Sequence, residues 1–300
     1  MLLIRVLTSI VLLALMVVVG ARLHTPLLNG AVVVLSVLAV LEMYRAIGLT
    51  GSRGLFVRLI PMSEGGCNAA PLRQRGLLDL AIIGAVVIPY APVLDEVITR
   101  SVLPIILFAL ALGYFAMLVK NYGKVSLGSF ATAMMLGMLI PLFFSSAVFI
   151  RDMHGVTLGG FYLLLALGAA WMSDTCAYFV GTIFGKHKLA PVVSPKKTIE
   201  GTVGGAVLCT GLMLLLGVIY QQSLPVRVDF VLLALFTPIL SLVGMLGDLS
   251  ASVIKREYGV KDFGRIMPGH GGVLDRFDSV LFTLPAVYVI ARHFELVRLI

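Results

Sequence analysis

The chain has 300 residues, of which 59% are hydrophobic and 13% charged, and its mean hydropathy is +1.05. Soluble domains contain about 45–50% apolar and about 25% charged residues, so the composition excludes an ordinary soluble domain and predicts an integral membrane protein. The net charge of +8 does not indicate a nucleic-acid partner, because the basic residues lie between apolar runs, where they orient spans and contact anionic lipid.

Nine apolar runs follow one another along the chain, each close to the length of about 20 residues that crosses a bilayer as a helix. They predict an all-α, polytopic helical membrane bundle with about nine transmembrane helices. The first run is not expected to be a cleaved signal peptide, because equally apolar runs follow it and no small-residue cleavage site is evident. The predicted helices lie near residues 5–21, 27–47, 76–93, 101–119, 129–150, 158–184, 201–221, 228–247 and 276–296.

The polar residues divide this bundle into two parts. Residues 1–150 are predicted to form N-terminal transmembrane helices with no assigned motif. Residues 151–300 are predicted to form a catalytic transmembrane region with cytoplasmic loops at 185–200 and 248–276. With nine spans, 17 of the 23 Lys and Arg residues lie on the side of the N-terminus and these loops. The positive-inside rule therefore places that side in the cytoplasm and the C-terminus outside.

The first polar motif lies within the sixth predicted span, where the run Trp-Met-Ser-Asp-Thr-Cys-Ala-Tyr contains Asp174. An ionisable residue inside a helical membrane bundle is by default a candidate for function. We expect Asp174 either to hold a lysine, Lys196 or Lys197, or to contact a nucleotide. The sequence does not decide between these roles.

The next motif, Ser-Pro-Lys-Lys-Thr-Ile-Glu-Gly, begins at Ser194 and precedes the seventh span. Ser194 followed by proline predicts a helix start, with the serine as N-cap. Lys196 and Lys197 beside free backbone donors would suit a triphosphate or pyrophosphate, although a membrane-orientation anchor requires only the two charges. Gly201 and Gly205 are expected to allow close helix packing rather than to bind a ligand.

The eighth span is predicted to continue into the cytoplasm as a helix that carries Asp248, Ser252 and Lys255. The i, i+4, i+7 spacing places all three on one face. Such a face offers a carboxylate for a metal ion, a hydroxyl and an ammonium. The alternative is a solvated helix end with an ion pair.

The last motif is a Pro-Gly-His-Gly-Gly loop that contains His270 and is followed by Asp275-Arg276-Phe277-Asp278. Glycines allow backbone N–H groups to approach a phosphate. Asp275 and Asp278 face the same way at a helix start, and two such carboxylates suit a hard cation such as Mg²⁺. Alternatively, the aspartates cap the helix, and His270 acts either as a general base or as a hydrogen-bonding residue of the loop.

In spacing and residue type, residues 252–278 resemble the signature of the phosphatidate cytidylyltransferase (CDP-diacylglycerol synthase) family. The runs around Asp174 and Ser194 resemble that family's Ser-Asp-Thr-x-Ala-Tyr and Ser-Pro-Lys-Lys-Thr-x-Glu-Gly runs, and the resemblance is specific over roughly residues 170–280. It implies a nucleotidyltransferase of phospholipid biosynthesis that joins CTP to phosphatidic acid, giving CDP-diacylglycerol and pyrophosphate. It also implies a Mg²⁺ cofactor, with one or two cations, and an active site on the cytoplasmic face of the bacterial inner membrane.

The resemblance assigns roles to individual residues. The implied catalytic residues are Asp248, Lys255, His270, Asp275 and Asp278, and the implied metal ligands are Asp248, Asp275 and Asp278. The implied substrate-binding residues are Asp174, Ser194, Lys196, Lys197, Thr198, Glu200, Ser252, Arg256, Lys261 and Arg276.

Two other functions would use similar charged and polar residues. A CTP-dependent lipid kinase would transfer the γ-phosphoryl group instead. A secondary transporter would carry its charges near the bilayer midplane, whereas here they gather at the cytoplasmic ends of the spans. The sequence leaves open whether the chain is a monomer or a homodimer.

Overall fold

A computed structural model of the protein describes residues 2–49, 75–93, 96–267, 269 and 271–300. Helices dominate these residues, and the strands are short, which confirms the predicted all-α class. The helices are α1 (Leu2–Ala21), α2 (Leu27–Ala46), α3 (Arg75–Val87, continued by a 3₁₀ helix at Ile88–Val93), α4 (Glu96–Lys120), α5 (Leu127–Phe184), α6 (Ile199–Ser223), α7 (Phe230–Glu257) and α8 (Leu274–His293). The strands are β1 (Lys188–Ala190), β2 (Ser194–Thr198), β3 (Val226–Val228) and β4 (Val297–Leu299).

The described helices overlap each of the nine predicted spans, while the number that cross a membrane stays a prediction. By length and composition, five stretches of the described residues could cross a membrane: Leu27–Ala46, Val102–Lys120, Leu127–Phe184, Ile199–Ser223 and Phe230–Glu257. The 58-residue α5 covers both the fifth and the sixth predicted spans. Gly155 interrupts its helical backbone with φ 72° and ψ −176°, a conformation that glycine adopts more readily than other residues.

The chain divides into two compact units, and the first unit comprises Met1–Val148 and Lys255–Arg276. Its core contains side chains from α2, such as Ala39, Val40 and Tyr44. The buried Tyr44 hydroxyl donates to the Ala133 carbonyl at 2.8 Å and lies 3.0 Å from the Tyr114 hydroxyl. These hydrogen bonds tie α2 to α4 and α5, because a buried hydroxyl needs a polar partner.

The second unit comprises Phe149–Ile254 and Phe277–Ile300. In this unit α6 packs against α5, and a Cβ added at Gly201 or Gly205 would overlap Ala177. The prediction that these two glycines allow close helix packing is therefore confirmed.

The predicted helix start at Ser194 is wrong. Residues Ser194–Thr198 form β2, which pairs in antiparallel fashion with β1, with Lys188 opposite Thr198 and Ala190 opposite Ser194. Helix α6 begins five residues later, at Ile199, and its N-cap is Thr198, whose side chain accepts from the Gly201 N–H. Pairing with strand β1 determines the conformation of Ser194, because tertiary contacts override local preferences such as helix capping.

Candidate active site

The predicted site residues are distributed over both units. The first unit holds Lys255, Arg256, Lys261, Asp275 and Arg276. The second holds Asp174, Ser194, Lys196, Lys197, Thr198, Glu200, Asp248, Ser252 and Asp278. His270 lies outside the described residues.

A group of polar side chains in the second unit, here called the Lys197 cluster, consists of Asp174, Lys197, Asp248, Asp278 and Ser279. Lys197 Nζ lies 2.5 Å from Asp248 Oδ2. The Ser279 hydroxyl donates to Asp174 Oδ2 at 2.8 Å, and the Ser279 backbone N–H donates to Asp278 Oδ1, also at 2.8 Å. Asp174 interacts electrostatically with Lys197 and Asp248. Of the two lysines predicted to lie beside Asp174, the one in this cluster is therefore Lys197.

The ammonium group of Lys197 has unused hydrogen-bonding capacity. Its Nζ is buried and, apart from the ion pair with Asp248, has no hydrogen-bonding partner within the described part of the chain. An ammonium carries three N–H donors, and leaving buried donors without acceptors costs free energy. An anionic oxygen of a ligand would satisfy these donors, so Lys197 is the candidate in this cluster for binding a phosphate.

The β1–β2 hairpin and the start of α6 determine where Lys197 lies. The Glu200 carboxylate accepts from the backbone N–H groups of Lys186 and His187 at 3.1 and 3.2 Å, and it lies 2.6 Å from His187 Nδ1. Thr198 caps α6 through the Gly201 N–H at 3.1 Å. In this structure Thr198 and Glu200 fasten the hairpin to the helix, and their implied contact with substrate stays a prediction.

A second polar group, here called the Lys255 cluster, lies in the first unit and consists of Lys255, Phe263, Gly272 and Asp275. Lys255 Nζ lies 3.0 Å from Asp275 Oδ1 and 5.2 Å from the centroid of the Phe263 ring. Asp275 Oδ2 accepts from the backbone N–H groups of Phe263 at 2.8 Å and Gly272 at 3.1 Å. Only 3% of the Asp275 side chain is exposed. This carboxylate therefore holds the loop that precedes α8 to the end of α7.

Two glycines of the loop before α8 adopt backbone conformations that favour glycine. Gly269 and Gly271 have φ of 80° and 87°, values that side chains with a Cβ rarely tolerate. The N–H of Met267 donates to the Gly271 carbonyl at 3.0 Å, which closes the turn. Pro268 and His270 lie outside the described residues, so the role of the histidine stays a prediction.

The predicted metal ligands supply carboxylate oxygens, which are the donors that Mg²⁺ prefers. Asp248 and Asp275 each have a lysine as ion-pair partner, and Asp275 additionally has two backbone donors. Within the described residues, no group of three or more His, Cys, Asp or Glu side chains is arranged to hold a metal ion. Oxygens of a bound phosphate would have to complete the coordination, as is usual for Mg²⁺.

The sequence patterns did not identify two polar residues: Glu42, which lies beside the Lys255 cluster, and Ser279 of the Lys197 cluster. Glu42, in α2, accepts from the Val273 and Leu274 N–H groups at 2.9 Å each. Glu42 is an ionisable residue within an apolar run, which is the same pattern that identified Asp174, so the sequence could have indicated it. Ser279 contacts Asp174, and no sequence pattern singled it out, because serine is common within membrane helices.

Comparisons with known proteins give a consistent result along the chain. The model of the cytidylyltransferase family matches residues 3–294. The phosphatidate cytidylyltransferase of Bacillus subtilis (strain 168) is 40% identical over 225 residues, which are 73% of this chain and 79% of that protein. Phosphatidate cytidylyltransferases of Staphylococcus epidermidis and Staphylococcus aureus are 50% and 51% identical over 129 residues, which are 43% of this chain and 48% of those proteins.

Proposed function

This chain belongs to the cytidylyltransferase family, and we propose that it transfers the cytidylyl group of CTP to phosphatidic acid. The products are CDP-diacylglycerol, an intermediate of phospholipid biosynthesis, and pyrophosphate. The observation that carries this assignment is the 40% identity to the B. subtilis phosphatidate cytidylyltransferase over 73% of the chain. The lysine–aspartate pairs Lys197–Asp248 and Lys255–Asp275, in a chain with helices long and apolar enough to cross a membrane, support it.

In the proposed reaction, an oxygen of the phosphatidate phosphate attacks the α-phosphorus of CTP in line. The bond between the α-phosphorus and the bridging oxygen breaks, and pyrophosphate leaves with the electron pair. No covalent enzyme intermediate is required. Such transfers depend mainly on positioning and on neutralising charge, so the chain must supply cationic groups around both phosphates.

Lys197 is the residue best suited to neutralise a substrate phosphate. Its buried Nζ has donors that no described acceptor satisfies beyond Asp248, and charge-assisted hydrogen bonds to phosphate are stronger than neutral ones. The carboxyl groups of Asp248 and Asp174 flank the ammonium. The phosphate would then take the remaining donors while the aspartates fix the lysine in place.

We assign Mg²⁺ to the carboxylates of Asp248, Asp275 and Asp278, with one or two cations bound. When bound, Mg²⁺ would neutralise the phosphate oxygens as charge develops on the leaving pyrophosphate. Asp248 and Asp275 each also have a lysine partner, so each carboxylate would orient an ammonium group as well as bind the metal ion. Lys255, Arg256 and Lys261 would supply further positive charge.

Labelled CTP tests the reaction directly. Purified protein in detergent with phosphatidic acid should convert CTP labelled at the α-phosphate into a labelled lipid, and addition of EDTA should stop the reaction. CTP labelled at the γ-phosphate should leave the lipid unlabelled. Label passing from the γ-position to the lipid would instead identify a lipid kinase, and the absence of any labelled lipid would contradict a CTP-dependent lipid enzyme.

We further propose that the protein lies in the bacterial inner membrane with both clusters facing the cytoplasm, where CTP is found. Cysteine labelling in intact cells tests this orientation in a background without Cys67, Cys176 and Cys209. Glu257→Cys, at the end of α7, should react with an impermeant thiol reagent only after the cells are opened. Leu299→Cys should react in intact cells. Labelling of position 257 from outside would overturn the proposed orientation.

A further inference from the structure

A buried glutamate in α2 contacts the loop that leads to Asp275. Glu42 is 0% exposed, and burying a carboxylate is costly unless hydrogen bonds compensate for the lost water. Its two oxygens accept from the backbone N–H groups of Val273 and Leu274, each at 2.9 Å. These donors lie 231 and 232 residues away in sequence, so the contact is part of the tertiary structure and not a local turn.

The two donors lie at the start of α8. The first N–H groups of a helix have no partner within the helix and must find one elsewhere. A carboxylate at this end also interacts favourably with the helix dipole. The preceding N–H, that of Gly272, donates to Asp275. Three consecutive N–H groups are thus fixed by two carboxylates, one from α2 and one from α8 itself.

Two glycines allow the backbone to approach Glu42 this closely. A Cβ added at Gly264 would overlap Glu42 Oε1, and one added at Gly272 would overlap Oε2. The loop backbone therefore contacts the carboxylate at two positions, Gly264 and Gly272, where no side chain intervenes. This close approach to Glu42 explains why residue 272 is a glycine, and phosphate binding is not needed to explain it.

We propose that Glu42 is a positioning residue for the reaction: it caps α8 from outside and thereby fixes the orientation of Asp275, without touching substrate. The inference rests on the proposed cytidylyltransferase activity for its catalytic consequence, but the cap itself does not depend on that activity. It gives a role to residues 1–150, in which the sequence shows no motif.

Hydrogen exchange and kinetics of the full-length protein test the proposal together. Glu42→Gln keeps the shape of the side chain but replaces one acceptor by an N–H₂ group, which faces a backbone donor. In Glu42→Gln we expect amide exchange at residues 273 and 274 to accelerate about tenfold or more, the loss of one charged hydrogen bond. The turnover number should fall by a similar factor, while the Michaelis constant for CTP changes less than about threefold.

The matched control is Tyr44→Phe, which removes a buried polar group from the same helix. Among the described residues, the Tyr44 hydroxyl hydrogen-bonds with Tyr114 and with the Ala133 carbonyl and with no residue of the loop. This variant should unfold at a lower temperature yet keep normal exchange at 273 and 274 and a normal turnover number. Glu42→Asp, which keeps the carboxylate on a shorter stem, should give values between those of the wild type and Glu42→Gln.

The outcomes separate the cap, its catalytic consequence and the reaction. Unchanged exchange in Glu42→Gln would overturn the cap, and faster exchange with an unchanged turnover number would overturn the positioning role. If Glu42→Gln does not fold, wild-type exchange and turnover in Glu42→Asp would overturn the proposal. Failure of the wild type to make a CDP-lipid would contradict the proposed function alone, because the exchange measurement does not require activity.

Discussion

The two lysine–aspartate pairs of this protein differ in what surrounds them. In the Lys197–Asp248 pair the side chains are 21% and 26% exposed, and the ammonium has donors left over. In the Lys255–Asp275 pair they are 14% and 3% exposed, and the carboxylate also binds two backbone N–H groups. The first pair has capacity for a ligand, whereas the second is built into the loop before α8. We therefore expect the first pair to act in substrate binding and the second to hold the backbone in place.

The largest expected effect comes from breaking the second pair. Asp275→Asn would remove the counter-charge of a mostly buried lysine, and loss of one partner of a buried ion pair typically costs about 3–5 kcal/mol. We expect the free energy of unfolding to fall by about that amount and CDP-lipid synthesis to be lost. Thermal unfolding of the purified protein and the labelled-CTP assay would measure the two effects.

Asp262→Asn is the matched control for stability, because it removes a charge from the same segment at a half-buried position. Its unfolding temperature should stay near that of the wild type. Wild-type stability in Asp275→Asn would show that the carboxylate does not hold the loop. If activity were nevertheless lost in that variant, a metal-binding role for Asp275 would be favoured over its structural one.

The next effect comes from removing the lysine of the first pair. In Lys197→Ala, one charge-assisted contact to phosphate is lost, worth about 1.5–3 kcal/mol, so kcat/KM for CTP should fall roughly 10- to 150-fold. Stability should change by less than about 1 kcal/mol, because Asp248 is a quarter exposed and water can solvate it.

Lys196→Ala is the control for this experiment, since its exposed side chain belongs to the same strand β2. It should retain nearly wild-type kinetics. Equal kinetic losses in both variants would mean that the two lysines act through their charge alone. Wild-type kinetics in both would favour the alternative that the pair orients the protein in the membrane.

The sequence predicted those features that depend on local pattern. Apolar runs predicted the helices, the interruption at Gly155 falls between two predicted spans, and the spacing of Gly201 and Gly205 predicted helix packing. Features that depend on contact with another segment of the chain were missed. Ser194 lies in a strand because β1 pairs with it, and Glu42 meets a loop more than 200 residues away. Spacing along a chain carries no information about such partners.

The smallest expected effect tests whether Asp174 works with the Lys197–Asp248 pair. Ser279→Ala would remove the neutral hydroxyl that donates to Asp174 Oδ2 at 2.8 Å. A typical intramolecular hydrogen bond contributes about 0.5–1.5 kcal/mol, so we expect a loss of kcat/KM of about 2- to 12-fold. This loss is smaller than the one in Lys197→Ala because Ser279→Ala leaves the charge of Lys197 beside Asp174.

Ser173→Ala is the matched control, because the Ser173 hydroxyl is buried and donates to the Ala170 carbonyl of its own helix at 3.0 Å. That variant should lose some stability but keep its kinetics. If Ser279→Ala behaved in the same way, Asp174 would be a buried acid with no role in substrate binding or turnover. A kinetic loss in Ser279→Ala alone would place Asp174 with Lys197 and Asp248, and it would extend the first pair into a three-residue charged site that differs further from the Lys255–Asp275 pair.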